Sequence, residues 1–172
     1  RKFGIPKVLD FAKLLQEPEI ELVLNLTNPA AHAFINLEVL EAGKHVYSEK
    51  PLAIDLEDGQ KIINKSISKN LMVGCAPDTV LSAGIQTCRN IIDEGVIGEP
   101  VSAIACFGSH GVERWHPNPE FYYKNGGGPM FDIGPYYLST LVNFMGPVKR
   151  VTGSHMRTFP HRIGRNKKID VE

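Results

Sequence analysis

No stretch of the 172 residues approaches the roughly 18 consecutive apolar positions that a membrane-spanning helix requires. Net charge is missing as well: 19 Lys+Arg balance 19 Asp+Glu, so there is no overall basic excess of the kind by which nucleic-acid binders neutralise phosphates. Cysteine is scarce and odd in number. Cys75, Cys88 and Cys106 have no C-x-x-C spacing and sit among largely apolar neighbours. That excludes a disulfide scaffold and predicts buried free thiols in a reducing compartment, hence a cytoplasmic location. The opening Arg1-Lys2-Phe3-Gly4-Ile5-Pro6 lacks the apolar run of a signal peptide. No period of about 20 to 50 residues repeats, which excludes a solenoid. What is present is an ordinary globular composition, 42% hydrophobic and 22% charged, able to bury a core and too apolar for a disordered chain. The charge is unevenly spread: 12 basic and 17 acidic residues from Arg1 to Val148, then 7 basic and 2 acidic from Lys149 to Glu172.

The pattern along the chain predicts alternating strands and helices. Glu21 to Leu26 is a short apolar run closed by Thr27-Asn28-Pro29, and it reads as a buried strand. Ala33, Leu37 and Leu40 recur at helical spacing before Gly43, predicting a helix over about 30–42. A strand at His45-Val46-Tyr47-Ser48, a helix opened by Asp55 and a strand at Leu71 to Cys75 continue the pattern. These are βαβ units of a doubly wound parallel sheet. The character changes after Ala76-Pro77-Asp78, which predicts a domain boundary, with one domain over 1–76 and another over 77–172. In the second, Leu81, Ile85, Cys88 and Ile92 mark a helix ended by Gly95; Val101 to Phe107 is expected as a strand, and 108–129 as a loop rich in Gly, Pro and aromatics. A helix over 132–145 is expected to bury Tyr137, Leu138, Leu141, Val142 and Met145 and to turn Asp132, Tyr136, Ser139 and Thr140 the other way.

Ligands of open α/β sheets bind at the carboxyl ends of the strands, and two polar clusters fall there. Thr27-Asn28-Pro29-Ala30-Ala31-His32 follows one strand, and Glu49-Lys50-Pro51 follows the next. Taken singly each has a plain structural account: a helix cap with Pro29 in the first turn and His32 as surface decoration, and a charged turn closed by proline. A third cluster, Gly126-Gly127-Gly128-Pro129-Met130-Phe131-Asp132-Ile133-Gly134-Pro135-Tyr136, opens with three glycines, whose entropic cost marks a close approach of the backbone to something. Asp132 there has an alternative reading as a helix N-cap. In the loop, Trp115, Tyr122, Tyr123 and Asn125 have two open readings: stacking and hydrogen bonding to a sugar ring, or packing on the chain's own sheet. His110 and His116 have no carboxylate or cysteine at ligand spacing, so no metal site is expected.

Together, Thr27 to His32, Ala42-Gly43-Lys44-His45-Val46-Tyr47-Ser48-Glu49-Lys50-Pro51-Leu52 and the glycine cluster with Asp132 resemble the Gfo/Idh/MocA family of glucose-fructose oxidoreductase and inositol 2-dehydrogenase. The resemblance covers essentially the whole chain. It implies an α/β fold: the C-terminal half of a Rossmann-type doubly wound parallel sheet over 1–76, lacking its first βαβ, then the start of an α+β substrate and dimerisation domain. It also implies hydride transfer between NAD or NADP and a secondary alcohol carbon of a sugar, cyclitol or related polyol. Lys50 matches the lysine beside nicotinamide and substrate; Thr27, Asn28, Pro29, His32 and Glu49 fall among positions lining the cofactor. Asp132 matches the substrate-binding aspartate, with Trp115 and Asn125 as further substrate contacts. Where many members have a histidine base four residues after that aspartate, this sequence has Tyr136. A free tyrosine titrates near about 10 against about 6.5 for histidine, so Tyr136 needs a nearby cation to act as base and otherwise only binds substrate.

No G-x-G-x-x-G occurs in the chain. This loop holds the pyrophosphate in complete members, and its absence predicts an internal fragment that by itself binds cofactor weakly and is inactive. The basic stretch from Lys149 is read as strand and loop whose acidic partners lie elsewhere. Expected partners are a small sugar or polyol and, for the whole protein, further copies of itself, with no nucleic acid and no membrane. Two other readings remain: a relative that uses NAD transiently in glycoside cleavage without net redox change, and a non-catalytic ligand-binding or regulatory member.

Overall fold

The computed structural model describes Gly4, Ile5, residues 7–164 and residues 167–172. The chain divides into two compact units, Arg1–Ala76 and Pro77–Glu172. In the first, α1 (Phe11–Gln16) is followed by β1 (Leu22–Asn25), α2 (Pro29–Glu41), β2 (His45–Ser48), α3 (Leu56–Lys69) and β3 (Val73–Cys75). The strands form a parallel sheet in the order β1-β2-β3. Both crossovers step the same way across the sheet, and their right-handedness puts α2 and α3 on one face, where the two helices touch. The core lies under them: Val23 and Val46 from the strands meet Val39, Leu40 and Ile62 from the helices. Leu22, Leu24 and Tyr47 point to the opposite face and are exposed, as the period of two along a strand dictates.

The element ends follow local chemistry. The Asn28 side-chain oxygen accepts from the Ala31 amide at 3.2 Å and Pro29 takes the first helical position, where a missing N–H costs nothing. Gly43, at φ 76°, closes α2 in the left-handed conformation, and the Lys44 amide returns to the Val39 carbonyl at 3.2 Å. The Lys44 side chain is buried, and its Nζ donates to the carbonyls of Glu17 and Ile20, both at 2.7 Å, just beyond α1. This lysine therefore ties the α1–β1 connection to the start of β2.

The second unit holds a 3₁₀ turn at Thr79–Leu81, α4 (Ala83–Asp93), another 3₁₀ turn at Pro119–Tyr123, α5 (Gly128–Asp132), α6 (Gly134–Met145) and an antiparallel pair, β4 (His161–Ile163) and β5 (Lys168–Asp170). Arg89 of α4 donates from Nη1 to the carbonyls of Asn143 and Phe144, satisfying the end of α6.

Several expectations for this unit are corrected. Residues 101–107 form no strand: nothing among the described residues pairs with them, and Val101 and Ile104 are 90% and 91% exposed. A β-prone segment without a partner has nowhere to place its backbone hydrogen bonds. The single helix expected over 132–145 is two, because Pro135 has no N–H for the Phe131 carbonyl. Asp132 thus ends α5, and the N-cap position of α6 falls to Ile133. Tyr137, Leu138, Val142 and Met145 are exposed, since α6 meets α4 and the 79–81 turn by its other side. Cys88 and Cys106 are exposed free thiols and only Cys75 is partly buried. The basic stretch finds acidic partners inside the chain: Arg162 pairs with Glu113 at 2.7 Å, and Lys167 pairs with Glu120.

Candidate functional site

Asn25, Ser48 and Cys75 stand side by side in register at the carboxyl edge of the sheet. The ladder carries one step further, with the Glu49 amide donating to the Asn25 carbonyl at 2.8 Å and the Ala76 amide to that of Ser48 at 2.9 Å. Lys50 and Pro51 then leave the sheet. The Lys50 amide donates to the Glu49 carboxylate at 2.7 Å; both residues are partly exposed at this edge. Beneath them, the buried Asn25 donates to the Asn36 side-chain oxygen at 2.8 Å and accepts from the Thr27 hydroxyl at 2.7 Å.

His32 is buried, 1% exposed, so it is not surface decoration and its ring is not open to a ligand. Its Nδ1 lies 2.6 Å from the Pro51 carbonyl oxygen and its Nε2 3.0 Å from that of Thr27. A neutral imidazole donates to one of these and an imidazolium to both. Asn36, one turn further along α2, donates to the Leu52 carbonyl at 3.4 Å. The Thr27 and Asn28 side chains are also tied locally, to Asn25 and to the helix start, while both residues stay exposed. Sequence reasoning missed Asn25 and Asn36. The available signal was polar residues at buried positions, a strand end and a helix face.

Cys75 sits at the same edge, its thiol 2.9 Å from the Ala76 carbonyl and 3.7 Å from that of Glu49. Burial, with a smaller contribution from the Glu49 charge, pushes its pKa up to about 11. The buried Ser48 hydroxyl, directly before Glu49-Lys50, has no hydrogen-bond partner among the described residues. Hydroxyl, amide, carboxylate and ammonium groups gathered at this edge suit a ribose and a carboxamide, so residues 27–28 and 49–50 fit the nicotinamide end of a dinucleotide.

In the second unit Asp132 and Tyr136 flank the break between α5 and α6, both partly buried. The glycines ahead of them are required by the backbone. Gly126 and Gly128 take φ of 81° and 77°, and a Cβ on Gly127 would collide with the Phe121 and Tyr122 carbonyls. The preceding loop is held by its own contacts. Glu113, 5% exposed, accepts from the Tyr123 hydroxyl and from Arg162, whose Nη2 also meets the His110 carbonyl. Burial opposes ionisation of Glu113, but these donors outweigh it and hold the carboxyl below its ordinary range. His116 stacks edge-on between Trp115 and Phe121, with ring centroids at 5.5 and 5.1 Å. Trp115 itself is 64% exposed and Tyr122 is buried, so the loop packs part of its aromatic surface and presents the rest. Asn125 is exposed, its amide donating to Glu172 at 3.2 Å. A cleft of about 590 Å³ is walled by Phe107, Tyr122, Tyr123, Arg157 and Phe159; neither Asp132 nor Tyr136 lines it.

Comparison with known proteins agrees with this architecture. Residues 1–76 match the family described as "Oxidoreductase family, NAD-binding Rossmann fold", and residues 85–172 match "GFO/IDH/MocA C-terminal domain". The chain is 30% identical over 150 residues to dTDP-3,4-didehydro-2,6-dideoxy-alpha-D-glucose 3-reductase of Saccharopolyspora spinosa, covering 86% of this chain and 44% of the relative. It is 30% identical over 159 residues to 1,5-anhydro-D-fructose reductase of Ensifer adhaerens, covering 88% and 46%. An NAD binding oxidoreductase from Klebsiella pneumoniae shares the fold with a TM-score of 0.79 at 23% identity, over 95% of this chain and 45% of that one. The chain thus spans less than half the length of these relatives. No helix among the described residues is long and apolar enough to cross a membrane. With a Rossmann-type parallel sheet in its first unit and both halves matched, the chain belongs to the Gfo/Idh/MocA family of NAD-binding oxidoreductases.

Proposed function

We propose that this chain is part of an enzyme that moves a hydride between NAD or NADP and a secondary alcohol carbon of a sugar, cyclitol or related polyol. The observation that carries the reading is Lys50: a partly exposed lysine on a turn at the carboxyl edge of a parallel sheet, held from below by buried polar side chains. The sugar reductases among the relatives favour a polyhydroxylated substrate. A bound nicotinamide supplies the hydride acceptor or donor. The protein's own part is to hold the reacting oxygen and handle its proton.

The Lys50 ammonium donates to the substrate oxygen and favours the partial negative charge that grows there as the proton leaves or the carbonyl is reduced. Asp132, at the end of α5, accepts hydrogen bonds from neighbouring substrate hydroxyls. The Tyr136 hydroxyl binds substrate and, with a cation close by, takes the alcohol proton. Asn28 and Glu49, with Thr27 and Pro29 beside them, would hold the ribose and carboxamide of a bound cofactor. Trp115 stacks on a sugar face and Asn125 hydrogen-bonds a hydroxyl.

The test uses the intact enzyme with NAD and NADP against a panel of aldoses, cyclitols, their keto forms and simple glycosides, reading the absorbance of reduced nicotinamide and the release of free sugar. Lys50→Ala should lower turnover on the order of 100-fold with the fold intact. Unchanged turnover would exclude Lys50 from the chemistry. Sugar release with no lasting reduced nicotinamide would point to glycoside cleavage without net redox.

A further inference from the structure

We propose that His32 is a positioning residue for Lys50, holding the turn that aims the ammonium from inside the sheet–helix interface. The proposal rests on the role assigned to Lys50 above. Lys50 lies beyond the last ladder bond, so the sheet no longer determines its path. Pro51 has no N–H, and its carbonyl is the one main-chain group by which it can be tethered.

Three successive residues are each held by a different side chain. The Glu49 carboxylate takes the Lys50 amide at 2.7 Å, the His32 Nδ1 meets the Pro51 carbonyl at 2.6 Å, and the Asn36 amide meets the Leu52 carbonyl at 3.4 Å. His32 and Asn36 lie four apart on α2, hence on one face, and that helix is anchored by the fully buried Val39 and Leu40. The Nε2 of the same ring meets the Thr27 carbonyl, so one imidazole bridges the turns that follow β1 and β2. Burying an imidazole and two amides between a sheet and a helix is costly unless each is satisfied. Here the two asparagine amides are satisfied by partners on those turns and by one another, and the imidazole faces a carbonyl oxygen at each nitrogen, donating to one when neutral and to both when protonated.

The test compares His32→Ala, His32→Asn, His32→Gln, Lys50→Ala and the His32→Ala/Lys50→Ala double variant in the intact enzyme. Asn places its amide where Nδ1 stood and keeps the Pro51 tether; Gln reaches the Nε2 position and keeps only the Thr27 contact. We expect His32→Ala to lower kcat about 100-fold, the scale of a misplacement of about 1 Å, with KM changing much less. His32→Asn should recover most of that loss and His32→Gln little of it. Hydrogen exchange at the Lys50 and Leu52 amides should quicken in His32→Ala. The double variant should be no slower than Lys50→Ala alone, because a residue acting through Lys50 has nothing left to act on.

Equal recovery by Asn and Gln, losses that multiply in the double variant, or a folded His32→Ala with unchanged kcat would each overturn the proposal. If His32→Ala fails to fold, the Asn and Gln pair decides. If Lys50→Ala itself keeps full turnover, the assignment of Lys50 falls and the positioning role falls with it. A slow Lys50→Ala beside a fast His32→Ala rejects the positioning role alone.

Discussion

Single buried polar residues carry much of the first unit's definition. Lys44 brings an ammonium under the surface for two main-chain carbonyls, those of Glu17 and Ile20. Lys44→Met keeps the stem and removes both donations, leaving two acceptors short of a partner; stability should fall by about 3 kcal/mol, the scale of a charged hydrogen bond plus a stranded acceptor. Denaturant unfolding measures it, and a change within error would mean that water replaces the ammonium. Cys75 gives a second residue-scale test. With its pKa pushed up to about 11, the thiolate is scarce at neutral pH. Alkylation of Cys75, followed by mass spectrometry, should be slow at neutral pH and rise steeply toward that value; a fast reaction at neutral pH would contradict the burial described.

At the scale of elements, the glycine turn before α5 and the Glu113–Arg162–Tyr123 cluster hold the loop that presents Trp115. Gly127→Ala sets a methyl against the carbonyls of the 119–123 turn, and backbone, unlike a long side chain, has little room to yield. We expect a loss of about 1–3 kcal/mol from overpacking, with weaker substrate binding, read as a lower Tm and a raised KM. An unaffected KM would separate the turn from the substrate. Glu113, whose folded-state pKa is depressed, adds stability that is fully present above its unfolded value and is lost as pH falls through the folded one. The Tm gap between the wild type and Glu113→Gln should therefore be widest near neutrality and close as pH drops below the ordinary carboxylate range. A gap that widens in acid would reverse the sign.

Over the whole chain, legibility follows the range of the interactions. Capping by Asn28, Pro29 at the first turn of α2 and Gly43 at its end are decisions made within a few residues, so α2 was readable almost to its ends. The break at Ile133–Gly134 is equally local, marked by the missing N–H of Pro135, although the apolar spacing of the helix pattern runs across it. Residues 101–107 show the opposite limit. Their pattern is that of a strand, but a strand is a property of two segments, and the sequence of one does not supply the other.

The sequence by itself determined the order of strands and helices from β1 to β3, the family, and which polar residues crowd the edge of the sheet, because periodicity, capping and motif strings are written in consecutive residues; α1, short and without a buried residue, gave no such signal. Tertiary structure alone decided what His32 does. It lies 19 positions from Pro51, and only the parallel pairing of β1 with β2, with α2 laid over them, brings its ring to that carbonyl. The same holds for Lys44 and the end of α1, and for Glu113 and Arg162, 49 positions apart. A hydrogen bond between distant residues is set by where the backbone has been carried by the burial of other side chains, and the identities of the two partners do not contain that information.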